Sequence, residues 1–476
     1  MLFPCGICAQ GSFQDAYNEF KKKAQTDYDD FRQKANQDYA DWMKKAWEWY
    51  GKVEPMLLPK DDMQPPVIYN KENEKEESKP IPYEDILPAP QPQPQPKPIS
   101  PIREDNGDYQ IASFQFYGTN GQVRLPKGFS FKIKDRNEES YASAWEELSS
   151  NQYSNLIRDC LVLRMEHQLC DWAYLMMLEK MSETICGKGT NEAIMLQAFV
   201  FCQSGYKIRL GFTKDKNLRL LVKSKHSIFN MARFQMDDGF FYILKPLEGD
   251  GLYICDISFP EEKPLSLLIT QEQKFADKIS KERILTSYDK SIEAKVQVNE
   301  NLIKFYDSYP SSMIGDNIVS RWAIYANTPL SQKVKEKIYP QLQSVISKAK
   351  NKAEAADWLL NWVQTAFVYE YDDKVWGGDR AFFSEETLYH PYCDCEDRSI
   401  FYSRLVRDLL GLNVILVFYP GHLATAVEFD TPVDGDYINL NDKRFTICDP
   451  TYIGAPIGAT MPKMDNYTAK VILLSK

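Results

Sequence analysis

Cys395 opens the stretch Cys395-Glu396-Asp397-Arg398-Ser399, which has the composition of a helix start. Two further motifs follow along the chain, Gly421-His422 and Asp449-Pro450-Thr451-Tyr452. A thiol nucleophile needs a base that takes its proton and a carboxylate that orients the base. A cysteine at a helix start, then a histidine and an aspartate on successive predicted strands, supplies these three groups in order. We therefore take Cys395, His422 and Asp449 as candidate catalytic residues.

The residues after Cys395 have the spacing of a helix that buries one face. The apolar residues of that face are Ile400, Phe401, Leu405, Val406, Leu409 and Leu410. Gly411 supplies a helix stop, so Cys395 falls in the first turn. Free N–H groups and partial positive charge at a helix N-terminus favour thiolate over thiol. The same N–H groups can bind a developing oxyanion.

Two predicted strands carry the other candidate residues. A buried strand, Val414 to Tyr419, precedes a segment that alternates from His422 onward. His422 shares a face with Ala424 and Ala426, and these small neighbours leave the imidazole room to meet the helix. If the strand that ends at Asp449 is its antiparallel neighbour, the carboxylate can reach the far imidazole nitrogen and fix the tautomer.

In these residues the chain resembles the transglutaminase-like superfamily of papain-like cysteine enzymes. The resemblance covers roughly the last 120 residues, from the tryptophan-rich helix at Asp357 through Asp394-Cys395-Glu396-Asp397 to the Asp-Pro-Thr motif. It implies an α+β fold in which the cysteine-bearing helix packs on an antiparallel sheet. It also places the family's Cys, His and Asp on Cys395, His422 and Asp449, and it implies no cofactor and no metal.

The resemblance implies acyl transfer on an amide bond of a protein or peptide substrate. Water as the second substrate would make the protein a peptidase or amidase, whereas an amine would make it a transamidase, and the sequence does not choose between them. The alternative is a non-catalytic binding or assembly scaffold that keeps the family fold. A triad geometry too loose for proton transfer would favour the scaffold.

Additional cysteines near the motif leave two other interpretations open. Cys393, Cys395, His422 and Cys448, with His390 as a further ligand, could form a zinc site, although the Cys-Asp-Cys spacing is tighter than usual for zinc. A disulfide between Cys393 and Cys448 would instead leave Cys395 free. Taken singly, a buried cysteine is usually inert packing and a lone histidine a satisfied core residue.

The middle of the chain, residues 105–300, resembles a degenerate copy of the catalytic part, residues 301–476. Asp238 to Pro246 aligns without gaps on Asp442 to Pro450, which puts Lys245 at the acid position. Gly189 to Phe212 aligns on Cys395 to Phe418, which puts Gly189 at the nucleophile position. His226 starts a segment comparable to the one that His422 starts. This pattern predicts a duplicated fold with one inactive site.

The N-terminal region predicts an export signal followed by a helix. Residues 1–9 are apolar and end in small residues, which is typical of the tail of a signal peptide, so we expect an exported protein in the periplasm or at the cell surface. Residues 10–53 repeat every eleven positions, a spacing that places the repeated residues on one stripe of a long amphipathic helix. The stripe contains Tyr17, Phe20, Ala24, Tyr28, Phe31, Ala35, Tyr39, Trp42 and Ala46. It could pack on the protein itself or mediate self-association.

Residues 54–104 pass from a charged run into a proline-rich run, which predicts a disordered linker. The whole chain has 57 basic and 67 acidic residues and a net charge of −10, without a basic stripe, which argues against nucleic-acid binding. No apolar run approaches the roughly 20 residues that a transmembrane helix needs.

Overall fold

The computed structural model describes residues 8–59, 64–71, 78–464 and 467–475, and the chain is an α+β protein, as the sequence predicts. Of the predicted signal segment, residues 1–9, the first seven lie outside the described residues. Export therefore stays a prediction. Helices are α1 Cys8–Met43, α2 Glu138–Leu148, α3 Ser154–Glu166, α4 Asp171–Cys186, α5 Asn191–Gln203, α6 Glu300–Asp307, α7 Arg321–Asn327, α8 Gln332–Ile346, α9 Lys352–Ala366, α10 Asp372–Val375, α11 Ser384–Tyr389 and α12 Cys395–Leu410. Strands are β1 Trp47–Gly51, β2 Tyr83–Leu87, β3 Tyr109–Phe116, β4 Thr119–Pro126, β5 Ile208–Phe212, β6 Leu218–Lys223, β7 Ser227–Ile228, β8 Arg233–Met236, β9 Gly239–Ile243, β10 Gly251–Cys255, β11 Arg283–Thr286, β12 Glu293–Val296, β13 Ser312–Met313, β14 Val368–Tyr369, β15 Tyr392–Cys393, β16 Asn413–Tyr419, β17 His422–Glu428, β18 Tyr437–Leu440, β19 Lys443–Cys448 and β20 Ala469–Leu473.

Two six-stranded sheets share one strand order. One sheet runs β1-β10-β5-β6-β9-β8, and the other runs β2-β20-β16-β17-β19-β18. We call the part of the chain around the first sheet the first lobe and the part around the second sheet the second lobe. In each lobe a helix, α5 or α12, directly precedes the central hairpin and packs on it. The sheets differ at one edge, where β1 pairs antiparallel to β10 but β2 pairs parallel to β20.

The two sheets also share their register. Equivalent partners are Phe212–Leu218 with Phe418–Leu423, and Leu221–Ile243 with Ala426–Ile447. This register places Asn217 at the position of His422 and Lys245 at the position of Asp449. The predicted equivalence of His226 with His422 is therefore wrong, because His226 follows β6, whereas His422 is the first residue of β17. Gly189 also lies two residues before the start of α5, whereas Cys395 is the first residue of α12.

The second sheet is buried on both faces, which explains why its central strands read as continuous apolar runs. Leu423 and Val427 of β17 belong to the main core, which also contains the apolar face of α12. Ala424 and Ala426 face a separate cluster on the other side of the sheet, together with Tyr452. The expected role of the two alanines is therefore wrong, since they point away from the helix that carries Cys395.

The predicted disordered linker, residues 54–104, contains ordered structure in its described parts. β2 adds a strand to the second sheet, and Leu87 at its end is buried. The proline-rich run that follows passes from one lobe to the other, since Ser475 Oγ donates to Pro90 O and Gln95 Nε2 donates to Leu169 O. Proline lacks an N–H group but keeps its carbonyl acceptor, so such a run can dock along a surface without joining a ladder.

The C-terminal part of α1 packs on the first lobe through a face that only partly coincides with the predicted stripe, sharing Ala35 and Tyr39 with it. Its buried residues are Arg32, Ala35, Asn36, Tyr39, Ala40 and Met43. Asn36 Nδ2 donates to Gln203 Oε1, and Trp145 Nε1 donates to Asn36 Oδ1. Polar residues thus join the buried face because they find partners there, whereas Tyr28, Phe31 and Trp42 of the stripe are exposed. None of the described helices combines the length and the apolar character needed to cross a membrane. Self-association stays a prediction.

We expect Tyr39→Ala to lower the free energy of unfolding by about 3–5 kcal/mol, because Tyr39 is 3% exposed and stacks near Trp145. Tyr28→Ala is the matched control, since Tyr28 lies on the same helix with 49% exposure and should change stability by about 0.5 kcal/mol or less. Urea denaturation measures both. Equal losses in the two variants would contradict the docking of α1.

Candidate active site

Cys395 is the first residue of α12, as the sequence predicts, and a capping box holds the helix start in place. Asp394 is the N-cap, and its backbone N–H donates to Asp397 Oδ2 at 3.2 Å. Phe382 N donates to the other oxygen of the same carboxylate at 2.8 Å. Further along the helix, Ser399 Oγ donates to Leu423 O at 2.8 Å. This bond ties the first turns of α12 to the start of β17, where His422 lies.

The structure brings His422 and Asp449 into direct contact. His422 begins β17 and Asp449 directly follows β19, its antiparallel neighbour. His422 Nε2 and Asp449 Oδ2 lie 2.8 Å apart, and the two residues are 0% and 2% exposed. The other oxygen of Asp449 accepts from the backbone N–H groups of Thr451 and Tyr452. Since a carboxylate only accepts, this contact puts the proton of a neutral imidazole on Nε2 and leaves Nδ1 as the basic nitrogen.

Gln364 on α9 supports the acid, and the sequence analysis missed it. Gln364 Nε2 donates to the backbone oxygen of Asp449 at 3.0 Å and to Ala455 O at 3.1 Å. Its Oε1 accepts from Gly454 N at 3.0 Å. The side chain is buried and therefore fixes the loop after β19 from three sides. The sequence carries one sign of this role: Gln364 lies four residues after Leu360, so a polar side chain falls on the apolar face of the predicted helix.

Arg398, three residues after Cys395, connects two helices of the second lobe. Its guanidinium donates from Nη1 to Gln364 O at 3.0 Å and from Nη2 to Phe367 O at 2.9 Å. A buried cation at these carbonyls satisfies the C-terminal end of α9, where helix carbonyls lack partners. The guanidinium also lies over the ring of Tyr369, 5.4 Å from its centroid. Arg398 therefore joins α9 to α12 beneath the candidate site.

The surroundings of Cys395 oppose the expected thiolate. Its thiol donates to Glu396 Oε2 at 3.3 Å. Burial raises the pKa of the Cys395 thiol well above its usual value, and the charges of Glu396 and Asp394 raise it further, while the N–H of Leu423 acts in the opposite direction. The prediction that the helix N-terminus favours the thiolate is thus wrong for this conformation, because burial and two carboxylates outweigh the helix dipole.

The Cys395 thiol and the His422 imidazole are not hydrogen-bonded to each other. His422 Nδ1 is buried and has no hydrogen-bond partner among the described residues. The N–H of Leu423, the next residue, faces the Cys395 thiol. The fold thus brings Cys395 beside the backbone of β17 and pairs His422 with Asp449, and the thiol-to-imidazole bond is the one contact of the candidate triad that is not formed.

Buried carboxyl groups crowd the start of α12. Burial raises the pKa of Asp372 to about 8, and the nearby charge of Glu396 adds to the effect. Burial also raises the pKa of Asp394 and of Asp397 well above the usual range, and the neighbouring carboxylates add to it. Oxygens of Asp372, Asp394 and Glu396 lie within 4.8 Å of one another, which is close enough to hold a cation. Burial and mutual repulsion both favour retained protons on Asp372 and Asp394, and those protons reduce the repulsion within the group.

The residues of the alternative zinc site do not come together. In the part of the chain that the structure describes, two groups have ligand atoms close enough to share an ion, and the second contains Asp307, Glu386 and His390. Neither group includes a cysteine or His422. Cys393 and Cys448 are both free, and their thiols face the carbonyls of Val368 and Thr446, so the alternative disulfide is not formed.

We expect the Asp372→Asn variant to gain stability relative to the parent protein as pH rises from about 4 to 8. Because the pKa of Asp372 is raised to about 8 in the fold, the unfolded chain ionises first, so the parent loses stability as pH rises through this range. The difference can grow by at most about 1.4 kcal/mol per pH unit. Urea denaturation at several pH values measures it. Asp373→Asn, at the exposed neighbour, is the control, and a pH-independent difference for Asp372→Asn would contradict the prediction.

Comparison with known proteins adds no family assignment to this geometry. No protein-family model matches the chain, and no curated protein and no solved structure matches it either. The resemblance to transglutaminase-like enzymes therefore depends on the order of the motif residues. Cys395 at the helix start, and His422 paired with Asp449, are the observations on which any functional proposal has to be built.

Proposed function

We propose that the second lobe transfers acyl groups from amide bonds through Cys395, in the manner of the transglutaminase-like, papain-like cysteine enzymes. The observation that carries the proposal is the buried pair of His422 and Asp449, in which Nδ1 is the imidazole nitrogen without a partner among the described residues. An aspartate that fixes the tautomer and leaves the second nitrogen basic is the arrangement that a thiol nucleophile requires.

In the proposed reaction, His422 Nδ1 takes the proton of the Cys395 thiol, and the sulfur attacks the carbonyl carbon of the amide. Backbone N–H groups in the first turn of α12 would stabilise the oxyanion. The C–N bond then breaks as the imidazolium returns its proton to the leaving amine, which leaves a thioester on Cys395. Water or a second amine attacks the thioester and passes its proton through His422 back to the sulfur. Asp449 orients the imidazole throughout.

The reaction needs the Cys395 thiol to turn from Glu396 toward His422. Catalytic hydrogen bonds are often long or unaligned without substrate and form only in the complex. The closed environment that raises the thiol pKa depends on burial first, so exposure of the site would favour the thiolate. The structure thus corresponds, in this proposal, to a resting state of the enzyme.

We infer that the first lobe is a degenerate copy of the second lobe. Support comes from the common strand order and register, which a chance similarity of two α+β sheets would not require. The equivalent positions hold Asn217 and Lys245 in place of His422 and Asp449. Lys245 forms ion pairs with Glu179 and Glu183 on α4, so the acid position has become part of a surface network.

A non-catalytic scaffold is the second candidate. The thiol that donates to Glu396, and the imidazole nitrogen that it does not reach, are the observations that favour it. In that case the buried carboxyl groups would stabilise the fold as acids, and Cys395 would be inert packing.

The test compares variants of the full chain on dimethylated casein, with new amino termini as the measure of hydrolysis and incorporation of a fluorescent primary amine as the measure of transamidation. We expect Cys395→Ser to lower kcat/KM by about 10³-fold or more, because the thiolate is the attacking group. Asp449→Asn should lower kcat by about 10²–10⁴-fold through the wrong imidazole tautomer.

Cys448→Ser is the matched control, because Cys448 is also buried but its thiol faces Thr446 O, and we expect less than about a tenfold change. Circular dichroism and thermal unfolding verify that each variant is folded. Activity that survives in Cys395→Ser would overturn the proposal. Absence of both activities in the parent protein, together with an unreactive Cys395 after the site has been opened, would establish the scaffold.

A further inference from the structure

A short N-terminal segment, residues 64–70, lies against the candidate active site in an extended conformation, and we call it the strap. Gln64 N donates to Gly421 O at 2.8 Å. Tyr69 N donates to Ile453 O at 2.9 Å, and Ile453 N donates to Val67 O at 2.9 Å. Ile68 and Ile453 thereby form a parallel β-bridge. The strap is therefore held at both ends by main-chain hydrogen bonds, as an added strand would be.

Both anchor points flank the candidate triad. Gly421 directly precedes His422, and Ile453 follows Asp449 by four residues. On the side of Cys395, Tyr369 is the connecting residue, since its hydroxyl donates to Gln64 O at 3.5 Å and its backbone pairs with Cys393, two residues before Cys395. The backbone of Gln64 thus spans from the cysteine side of the site to the histidine side.

Side chains of the strap alternate as in a strand. Tyr69 is half-buried, and its ring meets that of Tyr452 edge-on at 5.4 Å. Val67 and Tyr69 pack on the apolar cluster that contains Tyr452, which lies on the face of the second sheet opposite α12. Ile68 between them is 77% exposed. The main-chain hydrogen bonds do not depend on side-chain identity, and the inward-facing side chains add packing, so the groove can accept other extended chains with apolar residues at these positions.

We propose that the groove between Gly421 and Ile453 is the binding site for an extended polypeptide substrate, and that the strap occupies it as an intramolecular competitor. The inference rests on the proposed function, since it names the substrate of the same site. Cys395 and His422 are 0% exposed while the strap is in place, so the site must open before a substrate can reach it. A tethered segment competes at a high effective concentration, and a substrate must displace it.

The first experiment weakens the strap by point substitutions in the full chain. In the double variant Val67→Ser/Tyr69→Ala the inward-facing side chains are lost, while Ile68→Ser removes only the outward-facing one. Alkylation of Cys395 by iodoacetamide is followed by peptide mapping. We expect the rate to rise at least about tenfold in the double variant, and to stay within about twofold of the parent in Ile68→Ser, because binding energy comes from the groove side.

The second experiment adds the occupant back as a peptide. A synthetic peptide of the strap sequence, Gln-Pro-Pro-Val-Ile-Tyr-Asn, should restore protection of Cys395 in the double variant. The matched control peptide carries an N-methyl group on the tyrosine amide. This change removes the donor to Ile453 O and keeps every side chain, so the control should protect at least about tenfold less at the same concentration.

Equal alkylation rates in the parent, the double variant and Ile68→Ser would overturn the proposal, and so would equal protection by the two peptides. Circular dichroism excludes unfolding as the cause of faster alkylation. Binding of the fluorescent strap peptide is also measured with Cys395→Ser added to the double variant, where catalysis is absent. Tight binding there with no amide chemistry in the parent would remove the proposed function and keep the groove, whereas amide chemistry without peptide binding would remove the groove and keep the function.

Discussion

The buried hydrogen bond between His422 Nε2 and Asp449 Oδ2 is the contact on which the arrangement of the second lobe depends. It joins the start of β17 to the end of β19, and the backbone N–H groups of Thr451 and Tyr452 hold the same carboxylate from the other side. Gln364 fixes the loop that carries Asp449, and Arg398 fixes the helix that carries Gln364. A polar network in a dry interior is most stable when its members are satisfied, and here Nδ1 of His422, like Nε of Arg398 and Oγ1 of Thr451, has no partner among the described residues. Nδ1 of His422 is the basic atom among the three, and the N–H of the next residue, Leu423, faces the Cys395 thiol.

Charge at the start of α12 works against that cysteine. A helix N-terminus attracts anions, and Asp394 and Asp397 form the capping box there, with Glu396 also in the first turn. Burial raises the pKa of the Asp394 and Asp397 carboxyl groups and of the Cys395 thiol, which donates to Glu396. The resting site is therefore closed and favours the protonated forms of these three groups. A change in solvent access would alter several coupled protonation states at once.

The N-terminal region is an integral part of both lobes. The first and second lobes have the same strand order, and each sheet receives one edge strand, β1 or β2, from the first ninety residues. Between these two strands the strap runs beside His422 and Asp449. An edge strand satisfies the unpaired N–H and C=O groups of a sheet, so both lobes are completed by segments that lie far from them in sequence.

Local patterns in the sequence were sufficient for the helix start at Cys395, its end at Gly411, and the strands that carry His422 and Asp449, because capping, apolar spacing and alternation act within a few residues. The alignment of Lys245 with Asp449 also agrees with the strand register. The roles of Gln364 and Tyr369 and the placement of β2 depended on partners more than 80 residues away in the chain, which no local pattern contains. The buried face of α1 differed in part from its apolar repeat for the same reason, since Asn36, outside the repeat, is buried where Gln203 and Trp145 satisfy it. The sequence by itself determined which chemical groups are present and in what order, whereas the tertiary structure alone decided their burial, and burial sets whether Cys395 is a thiol or a thiolate.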